Sequence, residues 1–130
     1  ELNILSILDI EYFKKSKFLL PIIEENDVMN FYKWNKNDIL AINKYGMLEP
    51  IKSKKINPNI ILVPLLSFDN RKYRLGYGKG FYDKFLSKYL KTHKKTLTIG
   101  IAFSFQKFHN LPINSKDIKL DYILTEKGFI

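Results

Sequence analysis

Residues 74–83 read Arg-Leu-Gly-Tyr-Gly-Lys-Gly-Phe-Tyr-Asp, a run that combines three alternating glycines with two cations and one carboxylate. Glycine tolerates left-handed backbone angles, so successive peptide N–H groups can turn toward one point and an anion can approach the main chain. Apolar residues then recur at helical spacing, which predicts a helix from about Gly80 to about Lys91. Because a helix N-terminus presents unpaired N–H groups, the run predicts a phosphate site in front of that helix.

A purely structural interpretation of the same run stays open. Glycines before a helix can serve only as a turn, and an acid such as Asp83 in a first helical turn can simply complement the helix dipole. The run also matches neither common nucleotide motif. Lys79 is followed by Gly80 instead of Ser or Thr, and the glycines alternate instead of following G-x-G-x-x-G.

The segment that precedes the loop favours the phosphate interpretation. Residues 59–64 read Asn-Ile-Ile-Leu-Val-Pro, an unbroken apolar run that is typical of a strand buried on both faces. Ligands of open α/β sheets bind beyond the carboxyl ends of such strands. Phe68 and Asp69 border the loop in the turn-like stretch after this strand, and a role confined to positioning the loop stays open for both.

The other patterns complete an α/β arrangement. They predict a helix over 2–12, a short helix over 37–43, and strands over 17–23, 28–34, 96–103 and 122–125. Strands that alternate with helices predict a three-layer α/β domain with a mostly parallel central sheet flanked by helices. With 130 residues and 45% hydrophobic content, the chain is expected to form one domain over residues 1–130.

The net charge of +9 raises the question of a nucleic-acid partner. Of the 22 basic residues only Arg71 and Arg74 are arginines, and both flank the glycine loop. Arginine is the side chain suited to bidentate phosphate contacts, and the scattered lysines are typical of solvated faces. The distribution therefore favours a small anionic substrate over a nucleic acid.

Composition excludes several other classes. The absence of cysteine removes disulfides, thiolate nucleophiles and cysteine-based zinc sites, and His93 and His109 have no second ligand at metal spacing. No apolar stretch is long enough to cross a membrane, and no signal peptide is visible. We expect a cytoplasmic monomer with no membrane partner.

Two longer stretches carry a family resemblance. Val-Pro-Leu-Leu-Ser-Phe-Asp at 63–69 and the run at 73–83 together resemble the signature of the 5-formyltetrahydrofolate cyclo-ligases, also called 5,10-methenyltetrahydrofolate synthetases. Further segments agree in order along the whole chain, at 18–21, 29–31, 45–50, 99–103 and 120–125. By this resemblance the chain is expected to lack the family's usual N-terminal helix and first strand.

The resemblance implies a reaction. Such enzymes transfer the γ-phosphoryl group of ATP to the formyl oxygen of 5-formyltetrahydrofolate, which can be polyglutamylated. The second folate nitrogen then attacks and phosphate leaves, giving 5,10-methenyltetrahydrofolate, ADP and phosphate. Catalysis of this kind rests on alignment and on neutralisation of phosphate charge. ATP and Mg²⁺ are the implied cofactors.

The resemblance also implies roles for individual residues. Lys79 and Arg74 are the expected catalytic cations, and Asp83 and Asp121 are the expected Mg²⁺ ligands. The implied ATP-binding residues are Arg74, Leu75, Gly76, Tyr77, Gly78, Lys79, Gly80, Phe81 and Tyr82. The implied folate contacts are Tyr77, Gly78, Lys79, Gly80 and Phe81, together with Glu1. Met29, Phe31, Trp34 and Tyr45 could line the pterin pocket, although such side chains are more often part of a core.

Three hypotheses follow from the sequence. A cyclo-ligase predicts that Arg74, Lys79, Asp83 and Asp121 cluster around one pocket. A non-catalytic folate- or nucleotide-binding relative is the alternative within the family. A basic RNA-binding module, the third hypothesis, predicts a continuous lysine and arginine face with exposed stacking aromatics.

Overall fold

The computed structural model describes residues 5–130 of the chain. Their contacts group into two compact units, one formed by residues 5–58 and the other by residues 59–130. The single domain over residues 1–130 stays a prediction.

The first unit is built from two antiparallel hairpins. Strands β1 (Leu19–Ile23) and β2 (Met29–Lys33) form the first hairpin, in which Ile23 pairs with Met29. Strands β3 (Leu40–Ile42) and β4 (Leu48–Pro50) form the second. The core of the unit is largely aromatic and consists of Ile22, Met29, Phe31, Tyr32 and Trp34.

Two predictions for this unit need correction. The helix predicted over 2–12 is a pair of short 3-10 helices, Leu5–Asp9 and Glu11–Phe13, and residues 2–4 of that prediction lie outside the described residues. The helix predicted over 37–43 is wrong, because Asp38 closes a turn instead of capping a helix. Its carboxylate accepts the Asn35 N–H at 2.8 Å, and the following residues then pair as β3. A local side-chain turn and strand pairing thus outweigh a weak helical signal.

The second unit contains the strands predicted to be parallel. Its elements are β5 (Ile60–Pro64), β6 (Ser67–Phe68), β7 (Arg74–Leu75), α1 (Phe81–Thr92), β8 (Leu97–Ile101), β9 (Tyr122–Thr125) and β10 (Gly128–Phe129). The main sheet has the order β10-β9-β8-β5. Strands β5, β8 and β9 run parallel, and β10 is antiparallel at the edge. The predicted strands at 59–64, 96–103 and 122–125 and the helix after the glycine loop are confirmed.

Close packing holds this sheet together. Ile61, Val63 and Ile123 are almost completely buried. Gly100, in the middle of β8, has no room for a side chain, since a Cβ there would lie 2.7–2.9 Å from methyl groups of Ile123, Leu65 and Leu120. The fold is therefore a mixed α/β structure, with one α-helix and several small sheets among residues 5–130. The three-layer arrangement stays a prediction.

Candidate functional site

The glycine loop connects a small hairpin to the start of α1. Strands β6 and β7 pair antiparallel, and the Leu66 N–H donates to the Leu75 carbonyl at 2.8 Å. Gly78 and Gly80 then take left-handed φ values of +88° and +67°. Gly80 is the N-cap of α1, and its carbonyl accepts the Lys84 N–H at 3.0 Å. These two glycines therefore supply the backbone angles that bring the chain into the helix, as the sequence predicts.

Arg74 lies beneath this loop and is held there by an ion pair. Its Nη2 donates to Asp83 Oδ2 at 2.6 Å, and its side chain is only 5% exposed. The guanidinium also sits 5.7 Å from the centre of the Tyr82 ring. A Cβ on Gly76 would lie 2.6 Å from Arg74 Nη1, so the guanidinium packs directly against that glycine. The two charges predicted for phosphate and for metal are therefore bound to each other.

The upper part of the loop is open to solvent. Tyr77, Gly78 and Lys79 are all exposed, with Tyr77 at 57%. Lys79 stands between the two left-handed glycines, just before the N-terminus of α1. The loop thus presents main-chain groups and one lysine to solvent, while its arginine is buried.

The two predicted metal ligands are anchored by hydrogen bonds in different places. Oδ1 of Asp83 accepts the Ile118 N–H at 3.1 Å. Oδ2 of Asp121 accepts the Thr98 N–H at 2.8 Å and the Thr98 hydroxyl at 2.7 Å, at the start of β8. Residues 5–130 contain no group of three or more His, Asp or Glu side chains placed to hold a metal ion. The Mg²⁺ role of this pair stays a prediction.

Asp69 is more deeply buried than either predicted metal ligand, and its side chain has no exposed surface. It forms an ion pair with Arg71, whose Nη2 lies 2.6 Å from Asp69 Oδ2. Burial alone would raise the pKa of this carboxyl, but hydrogen bonds from Arg71, Leu111 and Tyr73 outweigh burial and leave its pKa below the usual value. The sequence shows only an acid two residues before an arginine in a turn; the contact with Leu111 was not predictable from it.

Four of the predicted folate contacts outside the loop, Met29, Phe31, Trp34 and Tyr45, lie in the unit formed by residues 5–58. Met29 is a core residue of β2 and is 4% exposed, and Phe31 and Trp34 are buried as well. The Tyr45 hydroxyl donates to Asp27, and this hydrogen bond is the main reason that the pKa of Tyr45 is raised. Glu1 lies outside the described residues. The folate roles of Met29, Tyr45 and Glu1 stay predictions.

The glycine loop lies between the β6–β7 hairpin and the N-terminus of α1, in a unit whose main sheet is largely parallel. The sequence profile described as the 5-formyltetrahydrofolate cyclo-ligase family matches residues 1–126. The chain belongs to this family. No helix among residues 5–130 has the length and apolar character needed to cross a membrane.

Individual relatives agree with the family assignment. The chain is similar to the solved 5,10-methenyltetrahydrofolate synthetase of Aquifex aeolicus, with 36% identity and a TM-score of 0.75 over 97% of this chain and 63% of that one. The corresponding structure from Mycoplasma pneumoniae gives 26% identity and a TM-score of 0.64, over 87% of this chain and 59% of that one. A Schizosaccharomyces pombe protein named "Probable 5-formyltetrahydrofolate cyclo-ligase" is 31% identical over 95% of this chain. The chain spans 68% of the length of that relative.

Proposed function

We propose that this protein catalyses the ATP-dependent cyclisation of 5-formyltetrahydrofolate to 5,10-methenyltetrahydrofolate. The observation that carries the proposal is the exposed glycine loop, with left-handed Gly78 and Gly80, at the N-terminus of α1 in a chain of the cyclo-ligase family. Its main-chain N–H groups and the positive end of the helix dipole suit the phosphates of ATP. We assign this role to residues 74–82, and assign the folate contacts of the loop to residues 77–81.

Lys79 is the proposed principal cation of the reaction. It is exposed on the loop, and a lysine on a flexible stem can follow a phosphoryl group as it moves from donor to acceptor. Arg74 is the second proposed catalytic cation, but its charge is already neutralised by Asp83 at 2.6 Å. We assign Lys79 the larger share of the charge stabilisation because it is exposed on the loop, and we assign Arg74, which packs against Gly76, the support of the loop.

Asp83 and Asp121 are the proposed residues for Mg²⁺, because carboxylate oxygens are the protein ligands that this ion prefers. When bound, Mg²⁺ neutralises phosphate charge during phosphoryl transfer. Asp83 Oδ2 also pairs with Arg74. A bound metal ion and the Arg74 guanidinium would therefore share the negative charge of the Asp83 carboxylate, so that each would be neutralised only in part.

The proposed reaction has two bond exchanges. The formyl oxygen attacks the γ-phosphorus of ATP, so an O–P bond forms and the bond to ADP breaks. The second folate nitrogen then attacks the activated formyl carbon, a C–N bond forms, the C–O bond breaks so that the phosphorylated oxygen leaves as phosphate, and the proton of that nitrogen is released. Both steps need alignment and charge neutralisation and no protein nucleophile.

The decisive experiment follows the methenyl product by its absorbance. Full-length protein is mixed with 5-formyltetrahydrofolate, ATP and Mg²⁺, and product is expected only when ATP is present. Lys79→Ala is expected to lower turnover by about a hundredfold or more, the size of effect seen when one charge-stabilising group is removed. Lys88→Ala, which removes an exposed lysine on α1, is the matched control and should keep full turnover.

Two outcomes would contradict the proposal in different ways. Binding of ATP and folate by a folded protein, without any product, would identify a non-catalytic relative. If Lys79→Ala instead unfolded the protein, Lys79 would be a structural residue and its assignment to phosphate would be wrong.

A further inference from the structure

The buried carboxylate of Asp69 collects five N–H donors. Oδ1 accepts the main-chain N–H groups of Arg71 at 3.0 Å and Tyr73 at 3.2 Å. Oδ2 accepts Arg71 Nε at 2.9 Å, Arg71 Nη2 at 2.6 Å and the Leu111 N–H at 3.2 Å. Four of these donors belong to the turn between β6 and β7, and the fifth comes from a segment about forty residues later in the chain. The carboxylate therefore joins two parts of the fold.

That later segment, residues 111–121, has no helix or strand of its own. Its first residue is clamped twice, since Arg71 Nη2 also donates to the Leu111 carbonyl at 2.7 Å. Its far end is tied to the same turn, where the Leu120 N–H donates to the Lys72 carbonyl at 3.1 Å and Lys72 Nζ donates to the Asp121 carbonyl at 2.8 Å. Without regular structure, these side-chain and turn contacts set the path of the segment.

The middle of the segment reaches the glycine loop. The Ile118 N–H donates to Asp83 Oδ1, and Asp83 Oδ2 holds the Arg74 guanidinium under Gly76. A continuous chain of contacts thus runs from Asp69 through residues 111–118 to Asp83 and the loop. Hydrogen bonds join Asp69 to Leu111 and Ile118 to Asp83, an ion pair joins Asp83 to Arg74, and the polypeptide itself connects Leu111 to Ile118.

We propose that Asp69 is a positioning residue for the phosphate-binding loop, acting through the 111–121 segment and Asp83. Replacement by asparagine keeps the shape of the side chain but puts an NH₂ group where a carboxylate oxygen accepts N–H donors. At least one buried donor then loses its acceptor, and the Arg71 guanidinium loses its counter-charge. The Leu111 end of the segment is released first, and Asp83 becomes free to move away from Arg74.

Hydrogen exchange of single amides tests the proposal without any ligand. In Asp69→Asn, the exchange rates of the Leu111 and Ile118 amides are expected to rise about tenfold or more, as expected for local opening after loss of a charged hydrogen bond. The amides of Ile99 and Ile123, in β8 and β9, should change by less than about twofold. Glu126→Gln is the matched control, because it also alters a carboxylate that accepts a main-chain N–H, that of Ser104 at 2.8 Å, but outside the 111–121 segment; it should leave Ile118 exchange unchanged.

A second variant keeps the test informative if Asp69→Asn does not fold. Arg71→Lys keeps the charge but removes the fork that binds both Asp69 and Leu111, and it should also speed exchange of Ile118. The proposal is overturned if Leu111 exchange rises while Ile118 stays as in the wild type. It is overturned as well if all amides, including those of β8, speed up equally, because that is uniform destabilisation.

The effect of Asp69 on catalysis rests on the proposed function, and a separate turnover assay tests it. Asp69→Asn, assayed where it is fully folded, should lower turnover by about ten- to a hundredfold, the cost of misplacing a reacting group. Full turnover of Asp69→Asn would overturn the positioning role. If the wild type forms no methenyl product, the proposed function fails, and the exchange experiment still decides whether Asp69 controls the loop.

Discussion

Arg74 belongs to the proposed phosphate-binding run, yet its charge is paired within the protein. Its guanidinium is buried beneath the loop, paired with Asp83 and packed against the Cα of Gly76. Its Nε is buried and has no hydrogen-bond partner among the described residues. A buried ion pair of this kind fixes geometry more than it adds stability. The absence of a side chain at position 76 is therefore a requirement of the arginine as much as of the ligand.

Gly76→Ala should displace Arg74 from under the loop. The added Cβ would lie 2.6 Å from Arg74 Nη1, which is buried and cannot swing into solvent without leaving Asp83. Overpacking of this kind is expected to lower the free energy of unfolding by about 1–3 kcal/mol, measured by urea denaturation. In an Arg74→Ala background the same substitution should cost much less, since the clashing atom is gone. An equal cost in both backgrounds would contradict this account.

At the level of elements, α1 couples the loop to the core. Its N-terminus carries Gly80 and Asp83, and two turns along the chain its side chains become buried, with Leu86 completely inaccessible to solvent. Packing of Leu86 therefore holds the helix whose N-terminus carries the proposed phosphate-binding groups. The hairpin β6–β7 plays the matching part on the other side of the loop, because Asp69 and Arg71 tie it to Leu111.

Leu86→Ala should weaken both stability and ligand binding. Truncation of a fully buried leucine costs about 2–5 kcal/mol in unfolding free energy. Because α1 then packs loosely, ATP binding should weaken as well, measured by calorimetry at a temperature where the variant stays folded. Lys91→Ala, in the exposed last turn of the same helix, serves as control and should change unfolding free energy by no more than about 0.5 kcal/mol. If folded Leu86→Ala kept the ATP affinity of the wild type, packing of Leu86 would not be needed for ATP binding and the prediction would be wrong.

At the scale of the whole molecule, the net charge of +9 predicts salt-dependent binding of anionic substrates. A positive field raises the rate at which anions arrive, and salt screens that field beyond about 10 Å at 0.1 M. The dissociation constant for ATP should therefore rise as ionic strength increases, whereas that for uncharged adenosine should stay constant. Titrations of both ligands in low and high salt measure this difference. If the dissociation constants of ATP and adenosine depended equally on salt, the positive field of the protein would not explain the effect.

Local patterns predicted the parts of the fold that depend on neighbours in sequence. The strands at 59–64 and 122–125 and the helix after Gly80 follow from apolar periodicity and from glycine chemistry, and they were predicted with close boundaries. The β3 strand was missed, because its pairing with β4 is decided by the tertiary structure and not by propensity.

The candidate site was predictable in its composition but not in its pairings. Residues 74–83 predict a loop that carries cations and an acid. The sequence does not indicate that Arg74 pairs with Asp83 or that Asp121 accepts hydrogen bonds from Thr98. Such partners are chosen by the folded backbone, which brings together residues nine and twenty-three positions apart. The contact of Asp69 with Leu111 was unpredictable for the same reason, because Leu111 lies in a segment without a periodic sequence pattern.

The parallel order of the main sheet has a consequence for the newly made chain. Strand β5 leaves the ribosome before β8, its partner in the sheet, and residues 65–96 must be synthesised in between. Because synthesis proceeds at about 5–20 residues per second, β5 exists for seconds before β8 is available to cover its apolar side chains. The β6–β7 hairpin and α1 emerge during this interval, and their own main-chain pairing joins residues that are close in sequence. The local structure on either side of the glycine loop can thus begin to form before β8 and residues 111–121 are synthesised.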